Sequence, residues 1–585
     1  MSDAVIGAAG AAVPAVRSRR LPLLAYALLA VLSVLLFLPG FFDLPPFDRD
    51  EARFAQASSQ MLESGDYVDI RFQDEARHKK PVGIYWLQTT ATALVDRILG
   101  DEPKAIWTYR IPSLLGAVTA VLATAWTGAR LFGGTVGFLA GLMMASCVVL
   151  GVEARMAKTD AVLLATVVIG QAALASLYLS RHAERSGWGA PLAFWISAGI
   201  GILIKGPIVL LVSGTTVLVL AALDRKAGWL TRLRPLAGLA IVAAIAAPWL
   251  VAIAIKTKGA FFAESVGHDM LGKVAAGQES KGLPPGYYLG TFWVTFAPWS
   301  FLALLAVPWA WSRRRTDAVK FCIAWILPSW LVFEAVPTKL LHYTLPVFPA
   351  IAILTACAAQ DHFARATAVL RPGSGAAVRR PGPSRALFIV AAGLGLLGFG
   401  ALAVAVAVIP YLVDGRIDPV GVAMLPVVLV LYALTLRLFA QRRERAGFGA
   451  GLAAAAVLYA GTYGAVLPAI DGVWISRQAA RAVAAARPCP TTTVASAGYS
   501  EPSLVFLLGT GTRLTHASGA AEALASDPAC GLALVDSRED ADFQATLKGQ
   551  AALKGVTPVA LSRLSGFNYN TGKRVTLTLY GAAKP

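Results

Sequence analysis

The sequence predicts a polytopic α-helical membrane protein of about thirteen transmembrane helices, closed by a small C-terminal soluble α/β domain. Three observations predict it. The 585 residues are 56% hydrophobic and 15% charged, with a mean hydropathy of +0.62, whereas a soluble surface needs roughly a quarter charged residues. Apolar runs of spanning length recur from residue 21 to about 470. The basic residues behind the net charge of +18 fall in short clusters between those runs rather than on one domain, which belongs to membrane topology and not to nucleic-acid binding.

The first 20 residues end in Arg17, Arg19 and Arg20 and read as a cytoplasmic tail. The run 21–42 is too long for a signal-peptide core and lacks a small-residue cleavage site, so it reads as a retained anchor. Further runs follow at 109–131, 134–152, 160–180, 189–204, 206–223, 236–256, 288–311, 321–336, 343–359, 386–413, 417–439 and 447–469. Segment 82–98 is interrupted by Gln88, Thr89, Thr90 and Asp96 and reads as an interfacial helix.

Threading the runs alternately from a cytoplasmic N-terminus sends Arg130, Arg181, Arg185, Arg225, Lys226, Arg232, Arg234, Arg313–Arg315, Lys320, Arg365, Arg371, Arg379, Arg380, Arg385, Arg442, Arg443 and Arg445 inward, as the positive-inside rule demands. The outward segments are then 43–108, 153–159, the break at 205, 257–287, 337–342, 414–416 and the tail from 470. Residues 21–470 form one transmembrane unit, and 471–585 a separate outward domain. β-like runs in that domain are expected at Thr491–Ala495, Leu504–Leu508, Leu532–Val535 and Arg574–Tyr580. Cys147, Cys322 and Cys357 lie in apolar runs as small hydrophobes; Cys489 and Cys530 sit in the polar tail and can pair in an oxidising compartment. No Walker-type or dinucleotide glycine motif is present, which leaves ATP-driven transport without support.

The outward segments carry the chemistry. In PPFDRDEARFAQASSQMLESG, Phe54, Ala57, Met61 and Leu62 recur at helical spacing, with Asp48 as N-cap and Gly65 as C-cap. Asp50 and Glu51 fall in the first turn, where they either complement the helix dipole or, with Arg53, offer a carboxylate to a membrane-borne substrate. His78, Lys79 and Lys80 attract headgroups or form a phosphate site. The next loop, EARMAKTDAVLL, holds Glu153, Arg155, Lys158 and Asp160 close to the membrane; capping by Thr159 or Asp160 explains one polar residue and not four. Lys205 in ILIKGP either snorkels or points into a central cavity. Lys339, His342 and Tyr343 repeat the theme, and a further loop adds Glu264, His268, Asp269 and Lys273. Several cations and two separated carboxylates at headgroup level suit displacement at a sugar anomeric carbon with a lipid phosphate leaving: cations stabilise the phosphate and a carboxylate orients or deprotonates the acceptor.

DEARFAQASSQMLESGDYV followed by KKPVGIYWLQ resembles the first-loop signature of the bacterial polyprenyl-phosphate-dependent glycosyltransferases of the GT-C class. Within it the nearest branch is the lipid A aminoarabinose transferases, with protein O-mannosyltransferases more distant. RMAKTDAVLLA, LIKGP, GHDMLGK, TFAPWS and KLLHYTLPVFPAIAIL are similar to later landmarks in the same order, and SGFNYNTGKRVTLTLY to the usual ending. The resemblance implies inverting transfer of a sugar from a polyprenyl phosphate, undecaprenyl phosphate by expectation, to a lipid A, other glycolipid, glycan or protein acceptor at the periplasmic face of a bacterial inner membrane. It implies Asp50 and Asp160 as catalytic carboxylates, Arg53, Lys80 and Lys205 as ligands of the donor phosphate, and Tyr343 as a lining residue. Glu51, Arg155, His268 and Lys339 complete the expected substrate-binding set. Two departures stand out: Phe54 where the family commonly has Tyr, and Lys79 where it often has the Glu that joins a His, here His268, on a metal. The resemblance leaves a divalent metal open but weakened by Lys79, and the added positive charge favours a more acidic sugar. The rival reading is a secondary transporter or flippase of lipid-linked sugars. Transporters usually place such groups near the bilayer midplane in paired, interrupted helices, whereas here they cluster at helix ends.

Overall fold

The computed structural model describes residues 21–100, 105–183, 187–272, 282–369, 384–549 and 556–583. The tail 1–20 with its three arginines, and Arg185, Lys273, Arg371, Arg379 and Arg380, lie outside the described residues, as does the side chain of Arg365.

Residues 23–469 form a helical bundle. Seven helices among the described residues are long and apolar enough to cross a membrane, or eight with one bent pair taken as a single span. Leu23–Phe37, Gly134–Ala145, Gly189–Lys205, Ile208–Asp224 and Leu345–Asp361 are apolar but shorter. Length and composition therefore support a polytopic bundle without fixing the number of crossings.

Two of the expected continuous runs are broken. The run 288–311 is Tyr287–Thr295 and Ser300–Ser312, set at 119°, because Pro298 offers no N–H to continue the ladder. The run 134–152 is Gly134–Ala145 and Val148–Glu153. The two breaks satisfy each other. Val148 N donates to Ala297 O at 3.2 Å, and Trp299 Nε1 donates to Ser146 Oγ at 2.8 Å. Tyr459 OH donates to Ser146 O at 2.7 Å, so backbone polar groups freed inside an apolar bundle keep partners.

Charges separate to the two ends of the bundle. At one end Arg181 pairs with Asp317 at 2.8 Å, Lys320 with Asp224 at 2.5 Å, and Arg313 with Asp361 at 2.6 Å. At the other end lie helix Arg49–Ser64, the hairpin strands β1 (Arg71–Phe72) and β2 (Glu75–Ala76), helix Gly83–Leu99 and the loop 154–159.

The same end carries a five-stranded mixed sheet of β3 (Val494–Ala497), β4 (Arg513–Thr515), β5 (Leu532–Asp536), β6 (Pro558–Asn568) and β7 (Lys573–Ala582), in the order β4-β3-β5-β7-β6. β3 is parallel to β4 and β5, and β7 is antiparallel to β5 and β6. Cys489 and Cys530 form a disulfide. Leu504–Leu508, expected as a strand, is instead the end of helix Pro502–Leu508. A short apolar run cannot be told helix from strand by periodicity, and Pro502 at the first turn favours the helix. Strands β4 and β6 fall outside the expected runs, and β3 starts three residues later than expected. The sheet is tied to the first-loop helix: Gln56 Nε2 donates to Thr510 Oγ1 at 2.7 Å, Thr510 Oγ1 to Glu63 at 2.7 Å, and Gln73 Nε2 to the carbonyl of Thr510 at 3.0 Å. Arg49 lies 3.6 Å from Glu501.

Candidate active site

Helix Arg49–Ser64 begins as its sequence dictates. Asp48 Oδ1 accepts from the amides of Asp50 at 2.7 Å and Glu51 at 3.2 Å, and Gly65 closes the helix at φ 71°. The two acids that follow diverge. Asp50 keeps 46% of its side chain exposed, with Arg53 at 3.5 Å and Arg77 at 3.9 Å. Arg77 also lies over the Phe54 ring at 5.0 Å, so the phenyl serves as a platform for a guanidinium beside Asp50.

Glu51 turns inward and is 0% exposed. It accepts from Arg110 Nε at 2.8 Å and Nη2 at 3.3 Å, and from the amides of Phe47 and Ala157, each at 3.0 Å. Arg110 spends its remaining donors on the carbonyls of Phe41, Leu44 and Pro45. Glu51 is therefore a strut joining three segments, and in this structure no face of it is open to a substrate. Arg155 meets the same fate. It is buried, donates to the carbonyls of Pro39, Gly151 and Leu36, and lies over the Tyr463 ring at 4.2 Å. Burial lowers its pKa to about 10, against the opposing pull of Tyr463 and Tyr459.

The loop 154–159 and the residues after helix Asp317–Ala335 build the second half of the site. Lys205 Nζ, at the end of helix Gly189–Lys205, reaches Asp160 Oδ1 at 2.5 Å and lies 5.5 Å from the Tyr343 ring. His342 bridges two carboxylates, with Nδ1 3.2 Å from Glu153 Oε1 and Nε2 3.4 Å from Asp160 Oδ1. Lys158 Nζ stands 3.6 Å from Glu153 and 3.7 Å from Asp48, so it links this cluster to the cap of the Asp50 helix. Burial opposes the Lys158 charge, but Glu153, Asp48, Asp160 and Asp50 outweigh it and hold the ammonium above the usual lysine range. Thr159 occupies the N-cap position of helix Asp160–Leu179 without a side-chain cap, so Asp160 is engaged by cations and not by capping.

A third group lies along the edge. Lys80 Nζ pairs with Asp269 at 2.5 Å, and His78 Nε2 lies 2.9 Å from Asp69. His268 is exposed on the π-helical segment Ala263–Leu271. Lys339, expected as a ligand, is buried against the carbonyls of Phe333 at 3.0 Å and Glu334 at 2.5 Å. It terminates helix Asp317–Ala335 electrostatically, and burial, with Glu334 pulling the other way, lowers its pKa. The structure thus gathers Asp50, Arg53, Asp160, Lys205 and Tyr343, sets Lys80 and His268 on the rim, and withdraws Glu51, Arg155 and Lys339 into the scaffold. Arg77 and Arg110 were not among the expected residues. Arg110 left a signal, a charge one residue inside the run 109–131.

Glu153, Asp160 and His342 bring one ligand atom each within 4.8 Å of one another, a donor set that suits a divalent cation. Ammonium groups nevertheless already stand 3.6 Å from Glu153 and 2.5 Å from Asp160. Two lysines supply the charge a dication would bring, so the cluster does not fit a resident metal.

Residues 79–251 match the family described as dolichyl-phosphate-mannose-protein mannosyltransferase. The chain is similar to the undecaprenyl phosphate-alpha-4-amino-4-deoxy-L-arabinose arabinosyl transferases of Aeromonas salmonicida, 29% identical over 54% of this chain and 56% of that one, and of Pseudomonas aeruginosa (strain LESB58), 29% identical over 63% and 65%. The chain thus spans little more than half the length of the curated relatives it matches. Among solved structures, ArnT from Cupriavidus metallidurans bound to undecaprenyl phosphate superposes with a TM-score of 0.69 at 18% identity, covering 95% of this chain and 97% of that one. The fold is the GT-C fold. The Archaeoglobus fulgidus oligosaccharyltransferase, at TM-score 0.51 and 11% identity over 96% of this chain and 74% of its own, is a more distant likeness. The resemblance read from the first-loop motifs and the GT-C class expected from it are both borne out.

Proposed function

We propose that this GT-C protein is an inverting glycosyltransferase that moves a sugar from undecaprenyl phosphate to lipid A or another envelope glycolipid, glycan or protein. One observation carries the reading: on a GT-C fold, the exposed Asp50 flanked by Arg53 and Arg77 is joined through Asp48, Lys158 and Glu153 to the Asp160–Lys205–His342 cluster. The names of the similar transferases support an undecaprenyl-phosphate-linked donor.

In the proposed reaction the acceptor oxygen forms a bond to the anomeric carbon as the bond from that carbon to the phosphate oxygen breaks. The bonding electrons leave with the phosphate. Lys205, Arg53 and Lys80 meet that charge as fixed cations, which replaces the need for a general acid at the leaving group. Asp50 orients the acceptor and, where it is a hydroxyl, takes its proton. Asp160 holds Lys205 in place, and Tyr343 lines the sugar subsite beside it. The site end faces the periplasm and the N-terminus the cytoplasm of a bacterial inner membrane. Residues 21–470 form the catalytic unit and 471–585 an outward domain, whose disulfide suits an oxidising compartment.

The test uses purified protein in detergent with a polyprenyl-phosphate sugar and lipid A. Asp50→Asn lowers turnover by about 100-fold to 10,000-fold, the worth of a positioned base, with unchanged unfolding behaviour. Turnover by Asp50→Asn at the parent rate removes the assignment.

A further inference from the structure

The end of the bundle away from the site holds a separate cavity. Helices Ser300–Ser312, Phe348–Val369, Arg385–Asp414 and Pro419–Ala440, with the start of Glu444–Gly461, enclose a cleft of about 480 Å³. Its position follows from helix Arg385–Asp414. Asp414 accepts from Gly472 N at 2.9 Å beside the sheet, and 30 residues of helix put Arg385 about 45 Å away.

The lining is mostly apolar, with four polar exceptions: Arg385, Arg442, Glu444 and Thr355. Two of these are buried and carry an oxygen without a hydrogen-bond partner among the described residues. Thr355 is 1% exposed and Glu444 7%, and neither Thr355 Oγ1 nor Glu444 Oε2 finds a hydrogen-bond partner among the described residues. Buried oxygens of this kind are ordinarily satisfied, and here both face one cleft that also presents two guanidinium groups. The charge pattern is two cations and one anion on an apolar wall at a membrane end. An anion alone would answer Arg385 and Arg442 but be repelled by Glu444; a cation alone would do the reverse.

We propose that this cleft binds a phospholipid whose headgroup carries both a phosphate and a primary ammonium, the phosphatidylethanolamine type. The phosphate lies between Arg385 and Arg442, where guanidinium forks suit its oxygens. The ammonium donates to Glu444 Oε2, and an acyl chain follows the wall of Leu302, Phe388 and Ile389. A headgroup with phosphate but no cation leaves Glu444 unanswered, and a quaternary ammonium has no N–H to give it. The site lies at the far end of the bundle from Asp50, so the proposal does not rest on the transferase reading.

The experiment titrates the full-length protein in detergent with phosphatidylethanolamine, phosphatidylcholine, phosphatidylglycerol or free phosphoethanolamine, and reads bound lipid by native mass spectrometry. Phosphatidylethanolamine is expected to bind about tenfold more tightly than the other two lipids, the scale of one charge-assisted hydrogen bond, and free phosphoethanolamine far more weakly. Glu444→Gln removes the preference for the primary ammonium. Arg385→Gln with Arg442→Gln weakens every phospholipid. Equal binding of the three lipids by the parent overturns the headgroup assignment, and needs no variant to fold. Free phosphoethanolamine bound as tightly as the lipid overturns the membrane source, and undiminished binding by a monodisperse double variant overturns the site.

Discussion

Glu51 and Asp50 are neighbours with opposite assignments, and substituting Glu51 separates them. Glu51→Ala removes the acceptor of two Arg110 N–H groups and of two backbone amides, all in a site with 0% exposure of both charged side chains. Breaking one partner of a buried pair leaves the other charge uncompensated and costs about 3–5 kcal/mol. That falls on the joint between segment 41–47, helix Arg49–Ser64, the start of helix Ile106–Phe132 and the loop at Ala157. Removing both charges, as Glu51→Met with Arg110→Met, recovers part of the loss. Full recovery is not expected, because the carbonyls of Phe41, Leu44 and Pro45 lose their donor. The measurement is the denaturation midpoint of purified protein in detergent, with donor binding followed in parallel. Should Glu51→Ala unfold at the parent midpoint and lose only donor binding, the strut reading is wrong and Glu51 is a substrate ligand after all.

Lys205→Ala is expected to weaken donor phosphate binding and to lower turnover with it, whereas Lys205→Arg, keeping the charge near Asp160, recovers part of both; direct donor-binding assays check this. Treatment with a strong chelator should leave turnover unchanged, because Lys158 and Lys205 already match the carboxylates of the Glu153–Asp160–His342 group; a loss restored by adding back a divalent cation would refute it. Asp66, paired with Lys256 and accepting from the amides of Val68 and Asp69, has its pKa lowered: burial pushes upward, but these partners outweigh it. Its contribution is therefore complete above the unfolded carboxylate value near 3.8 and is lost as pH falls through the lower folded value. Amide exchange around residues 66–69 should rise on acidification below about pH 4, and Lys256→Met should weaken that dependence.

The fold was legible because lipid imposes simple rules: uncharged runs of spanning length, with charges sorted to the ends. The breaks at Ser146–Cys147 and at Pro298 were not, since apolar composition continues through both and what permits them is a set of hydrogen bonds across the bundle. In the candidate site, residue type and position marked segments that the structure brings together, and motif position marked Asp50, Asp160, Lys205 and Tyr343. Neither could decide which charges face the cavity. Asp50 and Glu51 differ by one step along a helix, about 100° of rotation, and only the location of Arg110 turns the second into scaffold. Lys339 went the same way, drawn to the carbonyl end of the preceding helix.

The lashing of the C-terminal sheet to helix Arg49–Ser64 bears on how this protein can be dissected. Thr510 and Glu501 grip the helix along its length, through Gln56 and Glu63 and through Arg49, one residue before Asp50. Cutting the chain after the last membrane helix would therefore not leave the bundle intact but remove the backing of the helix that carries Asp50. Sequence drift in the sheet can likewise shift the position of Asp50 from residues that lie outside the candidate site.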